Sequence, residues 1–531
     1  MSDEKDEKIP FSTSEPLINE SEEQKIKTQS IKKGLLIIII SIIVILIAAG
    51  ILIYFLVIKD SDKSDSTDIS DETSDDISDD ISDDTSDDTS DDTSDDTSDD
   101  TSDDTSDDTS DDTENKTYSI TGKYMIDFPT NLTTIFHFSY LDLIDNLTID
   151  DESVEKNNTQ TFRDEGYHTI KIYFKEELTS LDNLFFKVDT LEEVDLTNIT
   201  SDKIKTASDL FNGCKSLKKV NFSQSFSSLY NISNMFTHCS SLENIDMSPF
   251  NNGKLIDIFG LFYGCLSLSE INFDNFNTSS VINMSHLFYD CISITSLNLN
   301  NFKTGQVKHM SNMFFGCGDL NSLDLDNFDT KNVEDMYGMF DGCKSIESLD
   351  LNKFDTNKVK NMFFMFGGCT NLISLDIKNF KTDNLEDMFG MFKNCESLEE
   401  IDISHFNTSK VTDMGDLFGN CTKLKKVNLE NLNTEKLNYI YAMFESCISL
   451  KSLNISNFNT YNVIDATNML IGCKNLENLD FSSFNSTSLE YYDGIFDGLA
   501  EIGTIKYNPN IFNKTLVEEK LENWIKIEIN Y

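Results

Sequence analysis

Apolar and polar positions follow two different rhythms inside one short unit, and that unit repeats along more than half of the chain. The stretch Met310 to Asp335 reads MSNMFFGCGDLNSLDLDNFDTKNVED, and the same frame returns at Met336 and at Met362. In Leu320-x-x-Leu323-x-Leu325, the alternation of Leu323, Asp324 and Leu325 predicts a short strand with one buried face. In Val333, Met336, Met339, Phe340 and Cys343 the spacing is i, i+3, i+6, i+7 and i+10, which predicts a short helix. Between them, Asn-Phe-Asp-Thr reads as a turn whose Phe328 points back inside.

Aligning on the phenylalanine of Met-Phe-x-Gly-Cys gives thirteen units from Phe185 to Phe496. All eleven cysteines, Cys214 to Cys473, share one frame position, spaced by 26 residues except for a first step of 25. A period of this length means a stacked array in which each unit covers its neighbour's apolar edge. The first unit carries Val188 and the last Leu499 where the others have cysteine, as terminal, capping units do. The expected fold is therefore an α/β solenoid over residues 182–499. It should be curved, with a parallel sheet on the concave side and short helices on the convex side. At about 4.8 Å per step the inner edge would run to roughly 58 Å.

The Leu-x-x-Leu-x-Leu core resembles a leucine-rich repeat. The fuller frame, Met-Phe-x-Gly-Cys-x-x-Leu-x-x-Leu-Asp-Leu-x-x-Phe-x-Thr, resembles the 26-residue repeats of BspA-type surface proteins. The resemblance implies a surface-exposed binding protein that adheres to host components or other cells. It transfers no catalytic residue, because the motif contains none.

The flanks predict how such a domain is displayed. Residues 1–33 are polar, with mixed charge, and read as a disordered cytoplasmic tail. Residues 34–58 read as a transmembrane signal-anchor helix, since Leu35 to Ile58 is 24 residues without a charge. At 1.5 Å per residue that run spans about 36 Å, enough for a bilayer core. Lys32 and Lys33 precede it, whereas Asp60, Asp62 and Asp65 soon follow it. The positive-inside rule then places the repeats outside the cell and makes this a single-pass membrane protein. Residues 59–113 are built largely of Ser-Asp-Asp-Thr tetrads and predict an extended acidic stalk. Residues 114–181 form a lead-in and cap, with strands expected at Tyr118–Ile120, Thr134–Phe138 and Thr169–Phe174. Residues 500–531 form a C-terminal cap that carries Trp524, the only tryptophan.

Charge narrows the partners. The formal net charge is −51, and residues 60–113 supply 26 carboxylates against Lys63 alone. A nucleic-acid binder needs cationic side chains to displace counterions, so that class is excluded. Cationic partners and weak divalent-cation binding fit better, beside the plainer reading of solubility and self-repulsion.

Little else points to chemistry. The cysteine count is odd and every cysteine sits on the inward face, so a column of reduced, buried thiols is expected rather than disulfides. No nucleophile, zinc or phosphate-loop motif occurs, and the six histidines share no ligand spacing. Asp324-x-Asp326-x-x-Asp329 lacks the central glycine and final glutamate of a calcium loop. No catalytic residue, cofactor or bound metal is expected. Fourteen Asn-x-Ser/Thr sequons on the expected outer side of the membrane permit glycosylation without signalling it.

One constellation remains. The outward strand position reads Asn298, Asp324, Asp350, Asp376, Asp402 and Asn428 over six consecutive units. Stacked at strand spacing, these make a ladder down the concave face. It reads either as a site for a ligand or cation, or as side chains hydrogen-bonded along the ladder and solvated. A second candidate is the outer stripe Tyr337, Phe363, Phe389 and Tyr441. Two functions stay open: a membrane-anchored protein that recognises a host or cell-surface protein or glycan, and a passive surface coat without a specific ligand.

Overall fold

The structure is a computed structural model and describes residues 118–529, apart from 130, 200–201 and 224–225. The expected tail (1–33), membrane segment (34–58) and acidic stalk (59–113) lie outside the described residues. Among the described residues no helix is long and apolar enough to cross a membrane.

The repeats stack as a solenoid with one unit per coil. Glu400, Ile401 and Asp402 pair in parallel with Lys426, Val427 and Asn428, a register of one repeat. Ser296–Leu297 pairs in the same way with Ser322–Leu323. Most of these strands are only two or three residues long, as at Ser322–Leu323 and Glu400–Asp402, because the Asx residue that follows or ends each one already begins a turn.

The expected short helices are absent, which corrects the α/β assignment over the repeats. Between Met336 and Cys343 the backbone makes successive turns. The amides of Met339, Asp341 and Cys343 donate to carbonyls three residues back, at 3.3, 3.1 and 3.1 Å. The intervening amides of Met336, Gly338, Phe340 and Gly342 instead reach the next coil, at Asn361, Phe363, Met365 and Gly367, over 2.7–3.0 Å. Gly338 and Gly342 lie at φ +54° and +76°. A left-handed residue at every fourth position stops an α-helix, whose residues must all be right-handed. The repeat is thus a β-solenoid with hydrogen-bond ladders on both sides. Among the described residues the one α-helix, α1 (Lys514–Lys520), lies in the C-terminal cap.

Stacking puts like residues on like. Phe314, Phe340 and Phe366 form part of a buried column, with ring centroids 5.7 Å apart and planes within 7° of parallel. Each fully buried phenylalanine contributes roughly 1.5–3 kcal/mol. All eleven cysteines are free and buried beside this column. Each thiol donates to a phenylalanine carbonyl of the preceding coil, as Cys343 does to Phe314 at 3.2 Å. Burial pushes the thiols up, to about 12 at Cys421 and Cys473, so they stay protonated and unreactive.

The ends are closed by different means. Tyr118–Ile126 pairs antiparallel with Gly166–Phe174 on one side and with Leu191–Asp195 on the other. Leu191–Asp195 then pairs in parallel with Lys219–Asn221, so the lead-in and the first coils share one sheet. Thr134–Phe138 is not a strand: only Thr133–Thr134 pairs, and a 3-10 helix follows at Phe138–Leu143. At the other end Asn478–Phe481, Thr504–Tyr507 and Ile525–Glu528 continue the parallel sheet. Trp524 is buried, and its indole N–H donates to the Ala500 carbonyl at 2.9 Å.

Candidate recognition face

The strand alternation turns one side chain of each coil outward, and the one-repeat register lines these up. Asn298, Asp324, Asp350, Asp376 and Asp402 are exposed, and Asn428 is half-buried. Asp350 bridges in parallel to Asp376, and Asp402 lies opposite Asn428. All six candidate residues therefore form one column on the sheet face.

Each also has a structural task. The Oδ1 of Asp324 accepts the amide of Asp326 at 3.0 Å, and that of Asp350 accepts the amide of Asn352 at 3.0 Å. Asp376, Asp402, Asn298 and Asn428 do the same for the amide two residues on, at 3.2, 2.9, 3.2 and 3.2 Å. These Asx turns end each strand and bend the chain into its corner. Aspartate and asparagine alternate freely in the row because both supply that oxygen.

The second oxygens are spent differently along the column. Asp376 Oδ2 takes Lys378 Nζ at 2.6 Å, a hydrogen bond that holds its carboxyl below the usual range. Asp402 Oδ2 accepts from Asn428 Nδ2 at 3.0 Å, and its carboxyl is lowered mainly by its hydrogen bond with Ser404. Asp376, Asp402 and Asn428 line a shallow, open depression of about 380 Å³. Leu375 and Ile401 form its floor, and Ser374, Glu400 and Lys426 edge it. Such a surface offers hydrogen bonds, charge and a small apolar floor, which suits recognition. Among the described residues no group of three or more His, Cys, Asp or Glu is placed to hold a metal ion.

Two further rows of Asx turns escaped the sequence reading. Asp329 and Asp335 accept the amides of Lys331 and Tyr337 at 3.3 and 3.0 Å, giving this coil three such corners together with Asp324. A row of buried threonines was missed as well. Thr304 donates its hydroxyl to the Asp329 carbonyl at 3.1 Å and accepts the Asp329 amide at 2.7 Å. The signal was present: Asp or Asn, and then Thr, recur in register around Phe328 and its equivalents.

The outer stripe is also assembled. Tyr337–Phe363, Phe363–Phe389 and Phe389–Tyr441 approach to 5.2, 5.0 and 5.7 Å between centroids. It lies on the turn side of the coils, on a segment separate from the sheet strands.

A family model described as "Mycoplasma protein of unknown function, DUF285" matches residues 179–296, 283–402 and 387–508. No curated protein matches the chain. Among solved structures, a leucine-rich repeat protein from Bacteroides ovatus is 16% identical, with 73% of this chain and 99% of that one covered, at a TM-score of 0.32. A leucine-rich cell surface protein from Faecalibacterium prausnitzii is 17% identical, with 58% and 83% covered, at a TM-score of 0.32. A leucine-rich repeat protein from Eubacterium ventriosum is 16% identical, with 57% and 85% covered, at a TM-score of 0.26.

Proposed function

The chain belongs to the family described as Mycoplasma protein of unknown function, DUF285, and from that premise we propose that it is a non-enzymatic recognition protein of the cell surface. Its ligand is a host or cell-surface protein or glycan, held across the sheet face. The observation that carries this reading is the column Asn298 to Asn428, with its depression at Asp376, Asp402 and Asn428. The face is broad, shallow and polar, which fits a macromolecule better than a small substrate. The apolar run Leu35–Ile58 would anchor the protein, with the repeats outside.

The Asx turns also allow a second reading. A passive coat protein would need the same residues only to shape its coils. Asp350→Asn combined with Asp376→Asn separates the two, because asparagine keeps the turn and removes the charge. Full-length wild type and double variant should be screened against host proteins, glycans and whole cells. The recognition reading expects a ligand bound by wild type and at least about tenfold more weakly by the double variant, as loss of charge-assisted hydrogen bonds would give. Absence of any ligand would leave the coat reading standing. Protease treatment of intact cells tests the display: the repeats should be digested along with known surface proteins.

A further inference from the structure

The recognition face does not use the aromatic stripe on the turn side. Its four rings form a continuous series across five coils. Tyr441 leans over Gly415, where an added Cβ would come within 2.9 Å of the ring, and so spans the coil that has no aromatic residue at the stripe position. Phe364 joins from the side, 4.8 Å from Phe363 and 5.5 Å from Phe389. Tyr337 is 36% exposed, and the other three stripe rings are half-buried. The rings therefore present faces and edges to solvent rather than filling the core.

Carboxylates border the stripe at both ends. Asp335 and Asp341 lie near Tyr337. Asp413, Asp416 and Asp465 surround Tyr441, and with burial as the larger cause they push its phenol up to about 12. One lysine of the chain already uses this combination. Lys393 Nζ lies 2.8 Å from Asp416 Oδ2 and 5.9 Å from the centroid of Phe364. Among the described residues no ion pair reaches Asp335, Asp341, Asp413 or Asp465. Each end of the stripe thus has an aromatic ring beside carboxylates that are in no ion pair among the described residues, Asp416 with its Lys393 apart.

We propose that this stripe and its carboxylates dock a basic polypeptide segment, whose lysine or arginine side chains sit between ring and carboxylate as Lys393 does. Charge selects that occupant: the chain carries −51, and both ends of the stripe are acidic. A cation over an aromatic face is attracted by the ring's quadrupole, and a carboxylate partner adds to that attraction. Tyr337 and Tyr441 are four coils apart, about 19 Å at strand spacing, which roughly six residues of extended chain would span. The segment should therefore carry two basic residues about six positions apart, an estimate from extended-chain rise.

The test is binding of a labelled peptide, with two arginines separated by five Gly/Ser residues, to the full chain. Two double variants probe the site: Asp341→Asn with Asp465→Asn, and Tyr337→Thr with Tyr441→Thr. Asn and Thr occur at the same frame positions in other coils as Asn361 and Thr467, so the fold should tolerate Asp465→Asn and both threonines. Melting temperatures check all the variants. Each pair should weaken binding about tenfold, as loss of a cation–π and charge-assisted contact implies. Asp350→Asn with Asp376→Asn, on the sheet face, should leave it unchanged. The proposal is overturned if either stripe variant binds as wild type. It is overturned equally if the sheet-face variant loses as much, since binding would then follow net charge alone.

Discussion

In the coils from Thr278 to Thr460 a buried threonine hydroxyl at one corner stands in for backbone hydrogen bonds between coils. Thr356 is fully buried; it donates to the Lys381 carbonyl at 2.9 Å and accepts the Lys381 amide at 2.8 Å. Thr356→Val keeps the shape but leaves both backbone groups unsatisfied, at a cost of about 1–3 kcal/mol. The denaturant midpoint should fall accordingly; an unchanged midpoint would show that water or a shifted backbone meets those groups. The half-buried aspartates give a second prediction. Burial raises the carboxyls of Asp341 and Asp413 to about 6, and Asp257 and Asp387 move in the same direction. A raised acid pKa means that the folded chain holds more protons than the unfolded chain between the unfolded value, about 4, and the folded value. Stability should therefore rise as pH falls from 7 towards 5. His168, raised by Asp150 and Asp164 against the lowering effect of burial, acts in the same sense, whereas His286, lowered by burial, opposes it. A melting temperature that falls steadily over that window would contradict this balance. Asp341→Asn should flatten the slope.

At the level of the single coil, the strand half was legible in the sequence and the other half was misread. Leu323-Asp324-Leu325 alternates because one face is buried, and the alternation survives in the structure. Met336, Met339, Phe340 and Cys343 carry helical spacing, yet they are buried by a chain of turns. Hydrophobic spacing reports which residues face inward, and a turn column with two left-handed residues can place the same residues inside. The missing clue was the glycine of Met-Phe-x-Gly-Cys, together with the Gly, Asn and Asp that recur four residues before it. Gly338 shows why: at φ +54°, an added Cβ would lie within 2.3 Å of Asn312 Oδ1 in the preceding coil. Gly338→Ala should cost about 1–3 kcal/mol through left-handed strain and this clash. Ala442 already sits at φ +52°, so Ala442→Gly should be neutral or stabilising by up to about 1 kcal/mol. Equal effects of the two substitutions in chemical denaturation would contradict the left-handed assignment. The candidate column itself was legible, because strand alternation fixes which residue points outward. The second role of each aspartate was not, because an Asx turn depends on backbone direction two residues ahead.

Over the whole repeat domain, stability passes from coil to coil, so the ends matter more than in a globular core. Phe512 covers Phe481, Phe484 and Phe496 at 5.8, 5.3 and 6.1 Å. Removing residues 501–531 would expose those rings and an unpaired strand edge, and the truncated protein should aggregate. A soluble truncation that unfolds cooperatively would mean that the last coil closes itself. Hydrogen–deuterium exchange on the full chain with its captured ligand tests the proposed role of the sheet face in recognition most directly. Protection is predicted on the extended segment 374–376 and on the strands Glu400–Asp402 and Lys426–Asn428, with the turn segments behind them unchanged. Protection confined to any other surface, with these strands exchanging as in the free protein, would contradict it.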